Sequence, residues 1–159
     1  MRAACFVLLL SAVAACGPTV DLSTGLAVQN VSTGWFDAGI VDGKTKLVPS
    51  VTFTLKNTSD QSLPVLQVNA LLHRISEPKD EWGNGFLNVA GSDGLKPGAS
   101  STALTIRSNL GYTGTDQTRD EMLHNSQFVD ATVDLFAKYG SAQWKKIGQY
   151  PIERKLLVK

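Results

Sequence analysis

The chain has 159 residues, of which 43% are hydrophobic, and its 15 basic residues nearly balance its 14 acidic ones. This length is enough for one domain with a sizeable apolar core. The near-zero net charge argues against nucleic acid as a partner, because nucleic acid is bound by a basic surface that replaces counterions. It also argues against a polybasic membrane-binding patch.

The first predicted element is an uninterrupted run of apolar and small residues from Cys5 to Ala15. A helix needs about 20 apolar residues to cross a bilayer, so this run is too short to span a membrane. One positive charge, Arg2, precedes the run and two alanines end it, which is the layout of a secretory signal peptide. A buried N-terminal helix is the alternative, but Gly17 and Pro18 would stop such a helix at once.

The end of this run and the cysteine that follows it, Val13 to Cys16 (VAAC), resemble the lipobox of bacterial lipoproteins: an aliphatic residue, two small residues and a cysteine. The resemblance implies that residues 1–15 are cleaved off and that acylated Cys16 anchors the mature chain to a lipid bilayer. Two or more acyl chains hold a protein stably, whereas one holds it reversibly. Gly17 follows the cysteine in place of an acidic residue, which by the same resemblance favours the periplasmic face of the outer membrane. Simple secretion is the alternative, but it leaves a free thiol in an oxidising compartment, which is unusual.

These features divide the chain into a signal peptide over residues 1–15, a lipidated tether over residues 16–25 and one domain over residues 26–159. The tether is inferred because the segment after the cysteine is polar, contains Gly and Pro, and has no period. Cys5 leaves with the signal and Cys16 is committed to lipid. We therefore expect no disulfide, no thiolate metal site, no cysteine nucleophile and no redox motif in the domain. We also expect no cofactor.

The first half of the domain has the alternation that is typical of β-strands. Residues 26–36 form a loosely alternating strand, and the turn-forming residues of segment 37–46 follow it. Residues 48–57 (VPSVTFTLKN) and 65–75 (VLQVNALLHRI) alternate clearly between apolar and polar side chains. The predicted inward-facing residues of these two strands are Val51, Phe53, Leu55, Leu66, Val68, Ala70 and Leu72.

The second half begins with an irregular stretch and ends with a predicted hairpin. Residues 76–94 are predicted to be loops around a short strand at 86–90, and a further strand follows the Pro-Gly turn at 97–98. One short helix is expected within residues 116–126, capped by Asp116 or Thr118 and ended by Asn125. Residues 128–139 and 144–158 form the hairpin, in which Pro151 marks an edge or a bulge.

About seven or eight short strands with frequent turns predict an all-β fold, a single antiparallel β-sandwich. A small barrel is the alternative closure. The phrase LKPG at residues 95–98 resembles the entry to a strand in immunoglobulin-like and fibronectin-like sandwiches, and the segment LKNTSDQSLPVLQV resembles a strand-turn-strand of bacterial immunoglobulin-like modules. The resemblance implies an immunoglobulin-like sandwich after the signal peptide.

Few residues have the spacing of a catalytic or metal site. His73 and His124 are far apart in sequence and are expected to be solvated or singly hydrogen-bonded, so we predict no metal site. Paired carboxylates can hydrolyse glycosidic bonds, but acidic loop residues are usually just solvated. The neighbouring acidic residues considered for this role are Asp80, Glu81, Asp116, Asp120 and Glu121, and we predict none of them to be catalytic.

Aromatic residues are the better candidates for a binding surface. Trp144 begins an alternating strand and is predicted to be core, and Trp35 fits either the core or a surface. Trp82 lies among charges and glycines, and Tyr112 lies in another Gly-rich segment. Trp82 and Tyr112 are therefore the predicted contact surface, although burial under a loop is the more common fate of such a tryptophan.

The sequence thus favours a membrane-anchored cell-envelope lipoprotein that works as a non-enzymatic binding or assembly module, with an envelope protein as its partner. One alternative is a hydrolase that acts on an envelope polymer, glycan or peptidoglycan, through the acidic loop residues. The other alternative is a carbohydrate-binding module in which the exposed tryptophan stacks on sugar rings.

Overall fold

The computed structural model describes residues 19–157, which fold into eight strands and two short helices. Strands account for 55% of the structure and helices for 7%. The elements are α1 (Leu22–Gly25), β1 (Leu26–Val41), β2 (Lys44–Asn57), β3 (Gln67–Arg74), β4 (Glu77–Asn88), β5 (Leu104–Arg107), β6 (Tyr112–Gly114), α2 (Arg119–His124), β7 (Ala131–Lys138) and β8 (Lys145–Pro151).

The strands form two four-stranded antiparallel sheets. The first sheet has the order β1-β2-β5, with β6 also paired to β2, and the second has the order β4-β3-β7-β8. The two sheets enclose a common apolar core. The predicted fold class, an antiparallel β-sandwich of about eight strands, is confirmed.

The inward faces of the central strands are those that the alternation predicts. Seven residues were predicted to face inward, and they lie in β2, in β3 and just before β3. All seven are only 0–2% exposed. In β7, Val133 and Leu135 are fully buried, whereas Thr132 and Asp134 on the other face are half-buried. Burial of these apolar side chains, at roughly 25 cal/mol per Å² removed from water, is the main force that holds the sheets together.

Two segments predicted as turns and loops are strands. Residues 37–46 belong to a long β1–β2 hairpin, whose register shifts between Asp37 and Ile40. Residues 77–85, predicted to be loop, pair with β3 as part of the twelve-residue strand β4. The predicted short strand at 86–90 is therefore only the end of a longer one.

The short helix α2 lies where the sequence predicts it. Thr118 is the N-cap, its hydroxyl accepts from the backbone N–H of Glu121, and the Glu121 carboxylate accepts from the backbone N–H of Thr118 at 2.7 Å. Asn125 is the C-cap, as predicted. This reciprocal capping explains why so short a segment is helical.

The folded part begins earlier than the predicted boundary at Leu26. Asp21 caps α1, Leu22 is only 1% exposed, and the Val20 backbone N–H donates to the Tyr139 hydroxyl at 2.6 Å. Residues 20–25, predicted as part of the tether, are thus packed on the sandwich. Cys16 and the predicted signal peptide lie outside the described residues.

The sandwich has two ends that we name here. The N-terminal end carries α1, the loop of residues 58–66 and the β7–β8 loop of residues 139–144. The distal end carries the β1–β2 turn, the β3–β4 turn and α2. This assignment follows from the antiparallel register, in which Leu26 pairs with Asn57 at one end of the first hairpin and Val41 pairs with Lys44 at the other.

The C-terminal segment, residues 153–157, covers part of the free edge of β1. The Trp35 backbone N–H donates to the Lys155 carbonyl, and the Leu157 N–H donates to the Trp35 carbonyl, both at 2.8 Å. The Thr33 hydroxyl donates to the Pro151 carbonyl at 2.8 Å and so joins β1 to the end of β8. These hydrogen bonds link the two sheets along one side.

Candidate functional site

The predicted contact residues Trp82 and Tyr112 both lie at the distal end, on either side of a buried aromatic pair. Trp35 is fully buried, and its ring centroid lies 4.5 Å from that of Phe128. Trp82 lies 6.2 Å from Trp35, and Tyr112 lies 4.7 Å from Phe128. We call these four side chains the aromatic row.

The aromatic row is mostly core. Trp82 and Tyr112 are half-buried and pack against the central apolar cluster. Each edge-to-face or tilted ring pair of this kind stabilises a core by about 0.5–1.5 kcal/mol, in addition to the contribution from the apolar area that it buries. The structure therefore gives Trp82 and Tyr112 a packing role and leaves each of them only partly accessible to a partner.

Two arginines flank the row. The Arg74 guanidinium lies 5.5 Å from the centroid of the Trp82 ring, and the Arg154 guanidinium lies 5.3 Å from that of Phe128. Arg154 also donates to both carboxylate oxygens of Asp130, at 2.7 and 2.9 Å. These hydrogen bonds lower the pKa of Asp130 and raise that of Arg154, because each charged form is stabilised by the other.

A groove opens beside this cluster, and we call it the distal groove. Its volume is about 560 Å³, and it runs between residues 74–76 of the β3–β4 turn and residues 126–130 before β7. The Ile75 backbone N–H donates to the Asp130 carbonyl at 2.9 Å across its floor, while the Ile75 side chain is 56% exposed. The groove thus combines an exposed aliphatic side chain with Ser76, Gln127 and the Arg74 guanidinium.

The β1–β2 hairpin adds a second exposed apolar feature at the distal end. Its turn consists of Asp42 and Gly43, both with positive φ (51° and 74°), as a tight two-residue hairpin turn requires. Ile40 is 72% exposed and Val41 is 40% exposed just before the turn. Sequence reasoning missed this hairpin tip because it interpreted the Gly-rich and Asp-rich segment as a loop.

Glu121 and Asp120, two of the acidic residues considered as a hydrolytic pair, have structural partners. Glu121 accepts the capping hydrogen bonds of Thr118, which lower the pKa of its carboxyl and disfavour a role as proton donor. Asp120 lies 3.5 Å from the His124 ring nitrogen on the surface of α2. Asp80 and Glu81 lie in β4, where Glu81 pairs with His73 of the neighbouring strand β3.

His73 makes one hydrogen bond, which is one of the two environments that the sequence predicts for it. Its Nδ1 lies 3.0 Å from the Asp80 carbonyl oxygen, and its Nε2 lies 3.9 Å from a carboxylate oxygen of Asp134. Lys146 approaches the same Asp134 oxygen at 2.9 Å. These three side chains form a polar cluster on the outer face of the second sheet. Within residues 19–157, no three His, Cys, Asp or Glu side chains are placed to hold a metal ion.

Trp144, predicted to be core, is instead 38% exposed. It lies just before β8 at the N-terminal end, and its ring is 6.3 Å from that of Phe86, which is 50% exposed. The prediction was wrong because Trp144 belongs to the end of the β7–β8 loop and lies outside the alternation of the strand. Within the part of the chain that the structure describes, no helix is long and apolar enough to cross a bilayer.

Comparison with known proteins gives no family. No protein family matches the chain, and no curated protein matches it. Among solved structures, the chain is similar to the X-ray structure of the Northeast Structural Genomics Consortium target SoR45, with 15% identity and a TM-score of 0.47 over 83% of this chain and 89% of that one. It is also similar to the solution structure of AT1g01470 from Arabidopsis thaliana, with 14% identity and a TM-score of 0.44 over 80% of each chain. Neither similarity bears on function.

Proposed function

We propose that this protein is a cell-envelope lipoprotein, held at a membrane by acylated Cys16 and acting as a non-enzymatic binding or assembly module. The observation that carries the proposal is the order of features in the first sixteen residues: Arg2, the apolar run, two alanines and Cys16. Glycine follows the cysteine, and this favours the periplasmic face of the outer membrane.

The position of the folded domain is compatible with such an anchor. The packed chain starts at Val20, so only Gly17, Pro18 and Thr19 separate it from Cys16. An anchor at Cys16 would leave the sandwich intact, because the core begins with Leu22. It would place the N-terminal end at the membrane and the distal end away from it.

Exposed apolar side chains at the distal end support the binding role. Ile40 and Val41, just before the β1–β2 turn, are 72% and 40% exposed, and Ile75, in the β3–β4 turn, is 56% exposed. Apolar side chains presented on loops and turns of a rigid sandwich are a common form of protein-binding surface. The partner we propose is another protein of the cell envelope.

Substitution of the cysteine tests the anchor. We expect the wild-type protein, expressed in a bacterium, to lose residues 1–15, to gain the mass of acyl chains and to fractionate with membranes. The Cys16→Ser variant should do none of these, whereas the matched control Cys5→Ser should behave as wild type, because its site leaves with the signal peptide. A wild-type protein that is soluble, cleaved elsewhere and not acylated contradicts the proposal.

Site-specific cross-linking tests the binding role. A photoreactive residue in place of exposed Ile40 is expected to capture one defined envelope protein in living cells. The same residue in place of exposed Gln149, on the edge strand β8, serves as the control and should not capture it. Equal capture from both positions, or none from Ile40, contradicts a binding surface at the distal end.

A further inference from the structure

The surface of the N-terminal end carries side chains that suit a lipid headgroup layer. Trp144 and Phe86 are exposed there, and Val65 in the loop of residues 58–66 is 43% exposed. The indole of tryptophan favours the membrane–water interface, because one side of the ring is apolar and the N–H remains hydrated. Exposed aromatic rings at the end nearest Cys16 are therefore suited to contact with a lipid surface.

Two lysines accompany these rings. The Lys138 ammonium lies 5.1 Å from the centroid of the Trp144 ring, and Lys145 follows Trp144 directly in sequence. Two acidic residues lie at the same end: Asp60, which is exposed in the loop of residues 58–66, and Asp21, whose carboxyl pKa is lowered by hydrogen bonds from Ser23 and, to a smaller extent, by the charge of Lys145. A lysine near an anionic lipid surface contributes about 1 kcal/mol to binding. Two lysines are too few to bind a membrane alone, but they add to an existing anchor.

A cleft at the same end is lined by Lys145 and by the first described residues. Its volume is about 600 Å³, and its lining includes Val20, Pro64, Tyr139, Ala142 and Lys145. Apolar side chains line it next to this cationic one, and the polar residues Thr19, Gln61, Ser141 and Gln143 line the rest. This arrangement matches a phospholipid, in which acyl carbons lie next to an anionic phosphate.

The length of the link brings this end to the bilayer. Four peptide units join Cys16 to Val20, and a fully extended chain spans at most about 14 Å over that length. The headgroup layer on each side of the hydrocarbon core is itself several Å thick. An acylated Cys16 would therefore hold the N-terminal end against the headgroups, with no long stalk to let the domain tumble.

We infer that the N-terminal end docks on the membrane surface, with Trp144 and Phe86 at the interface and Lys138 and Lys145 next to anionic lipid headgroups. The inference rests on the lipid anchor proposed above. It fixes the orientation of the domain and turns the β1–β2 hairpin away from the bilayer.

The experiment supplies the anchor chemically, so that it does not depend on acylation in the cell. The chain from Cys16 onward, which contains every described residue, is coupled through its only thiol to a maleimide lipid in phosphatidylcholine–phosphatidylglycerol vesicles with brominated acyl chains. Bromine quenches tryptophan fluorescence only at short range. We expect clear quenching in the coupled protein and its loss in Trp144→Phe, because Trp35 is buried and Trp82 is at the distal end.

The charge contribution is measured in the same vesicles. Replacing Lys145 by Gln is expected to weaken docking about fivefold when phosphatidylglycerol is present, and to have little effect in pure phosphatidylcholine. Lys44→Gln, at the distal hairpin, is the matched control and should leave quenching unchanged. Absence of quenching, or quenching that survives Trp144→Phe, overturns the inference. Either result leaves the cellular test of Cys16 acylation unaffected, so the two failures can be told apart.

Discussion

At the scale of single residues, Asn57 is the buried polar group on which the N-terminal end depends. Its side chain is fully buried, and its amide donates to the carbonyls of Gln61 and Leu95, each at 2.8 Å. Its oxygen accepts from the backbone N–H and the hydroxyl of Ser59, at 3.0 and 2.7 Å. One amide thus joins two loops, and every one of its hydrogen-bonding groups has a partner.

We expect Asn57→Ala to lower the free energy of unfolding by about 1–3 kcal/mol, because the four hydrogen bonds of a fully buried amide are lost, although the Gln61 and Leu95 carbonyls each keep one other donor. Urea denaturation measures the effect. Asn88→Ala is the control, since Asn88 is exposed and pairs only with Gln67 on the sheet surface, and it should change stability by less than about 0.5 kcal/mol. Equal effects of the two substitutions would contradict this account of Asn57.

The ion pair of Asp130 and Arg154 makes stability depend on pH. Hydrogen bonds from Arg154 lower the folded-state pKa of Asp130, so the pair stabilises the fold above the ordinary pKa of an aspartate, about 4. That contribution is lost as the pH falls further through the lowered pKa. Because both side chains are partly exposed, solvent screening limits the contribution to about 0.5–1 kcal/mol.

Asp130→Asn should therefore reduce stability by that amount at pH 7 and have no effect at pH 2, as measured by denaturation across the pH range. The exposed loop residue Asp93 provides the matched control through Asp93→Asn. A destabilisation by Asp130→Asn that is the same at pH 2 and pH 7 would show that the charge of Asp130 does not matter.

At the scale of secondary-structure elements, the contrast between β4 and the other strands shows why some strands could be predicted from the sequence and others could not. Strands β2, β3 and β7 alternate apolar and polar residues because one face of each is buried, and their faces follow from the sequence. In β4 the inward positions include Gly83 and Gly85, which have no side chain and so leave no alternation to detect. Helix α2 could be predicted because its capping residues are adjacent in sequence.

The distal groove could not be predicted for a different reason. Its two walls, residues 74–76 and 126–130, are distant in the chain and meet only because β3 pairs with β7. Trp82 and Tyr112 could be identified individually, but nothing in the sequence shows that the buried pair of Trp35 and Phe128 lies between them.

The close approach of β4 to β5 makes Gly85 sensitive to substitution. A Cβ at Gly85 would lie 2.8 Å from the Arg107 carbonyl oxygen and would overlap the Ile106 side chain. We expect Gly85→Ala to cost about 1–3 kcal/mol through overpacking and to lower the melting temperature. Thermal unfolding by circular dichroism measures it.

Gly91→Ala is the control for this experiment, because a Cβ at Gly91 meets open space. Its melting temperature should be close to that of the wild type. A Gly85→Ala variant as stable as Gly91→Ala would mean that the two sheets can separate at this point without cost.

At the scale of the whole molecule, the C-terminal segment protects an edge. Residues 153–157 pair with Trp35 in β1, and an uncovered edge strand offers unpaired N–H and C=O groups to other chains. Truncation after Arg154 keeps the ion pair with Asp130 but removes the rest of this pairing. We expect the truncated protein to melt earlier and to associate as its concentration rises.

Size-exclusion chromatography over a range of concentrations measures this association. The control removes only Lys159, which leaves residues 153–157 in place. If the truncated protein melts at the same temperature as this control and associates no more than it does, the β1 edge does not need the C-terminal segment.

The length of β1 also sets a height. Because β1 contains two register shifts, the length is given by its fourteen-residue partner β2, which at about 3.3 Å per step corresponds to roughly 43 Å from the N-terminal end to the hairpin tip. On a docked domain the hairpin acts as a spacer that holds Ile40 at a fixed distance above the lipid. Two more residues in each of β1 and β2 would preserve the inward and outward faces and raise the tip by about 7 Å. Such variants would measure how far from the membrane surface the proposed partner binds.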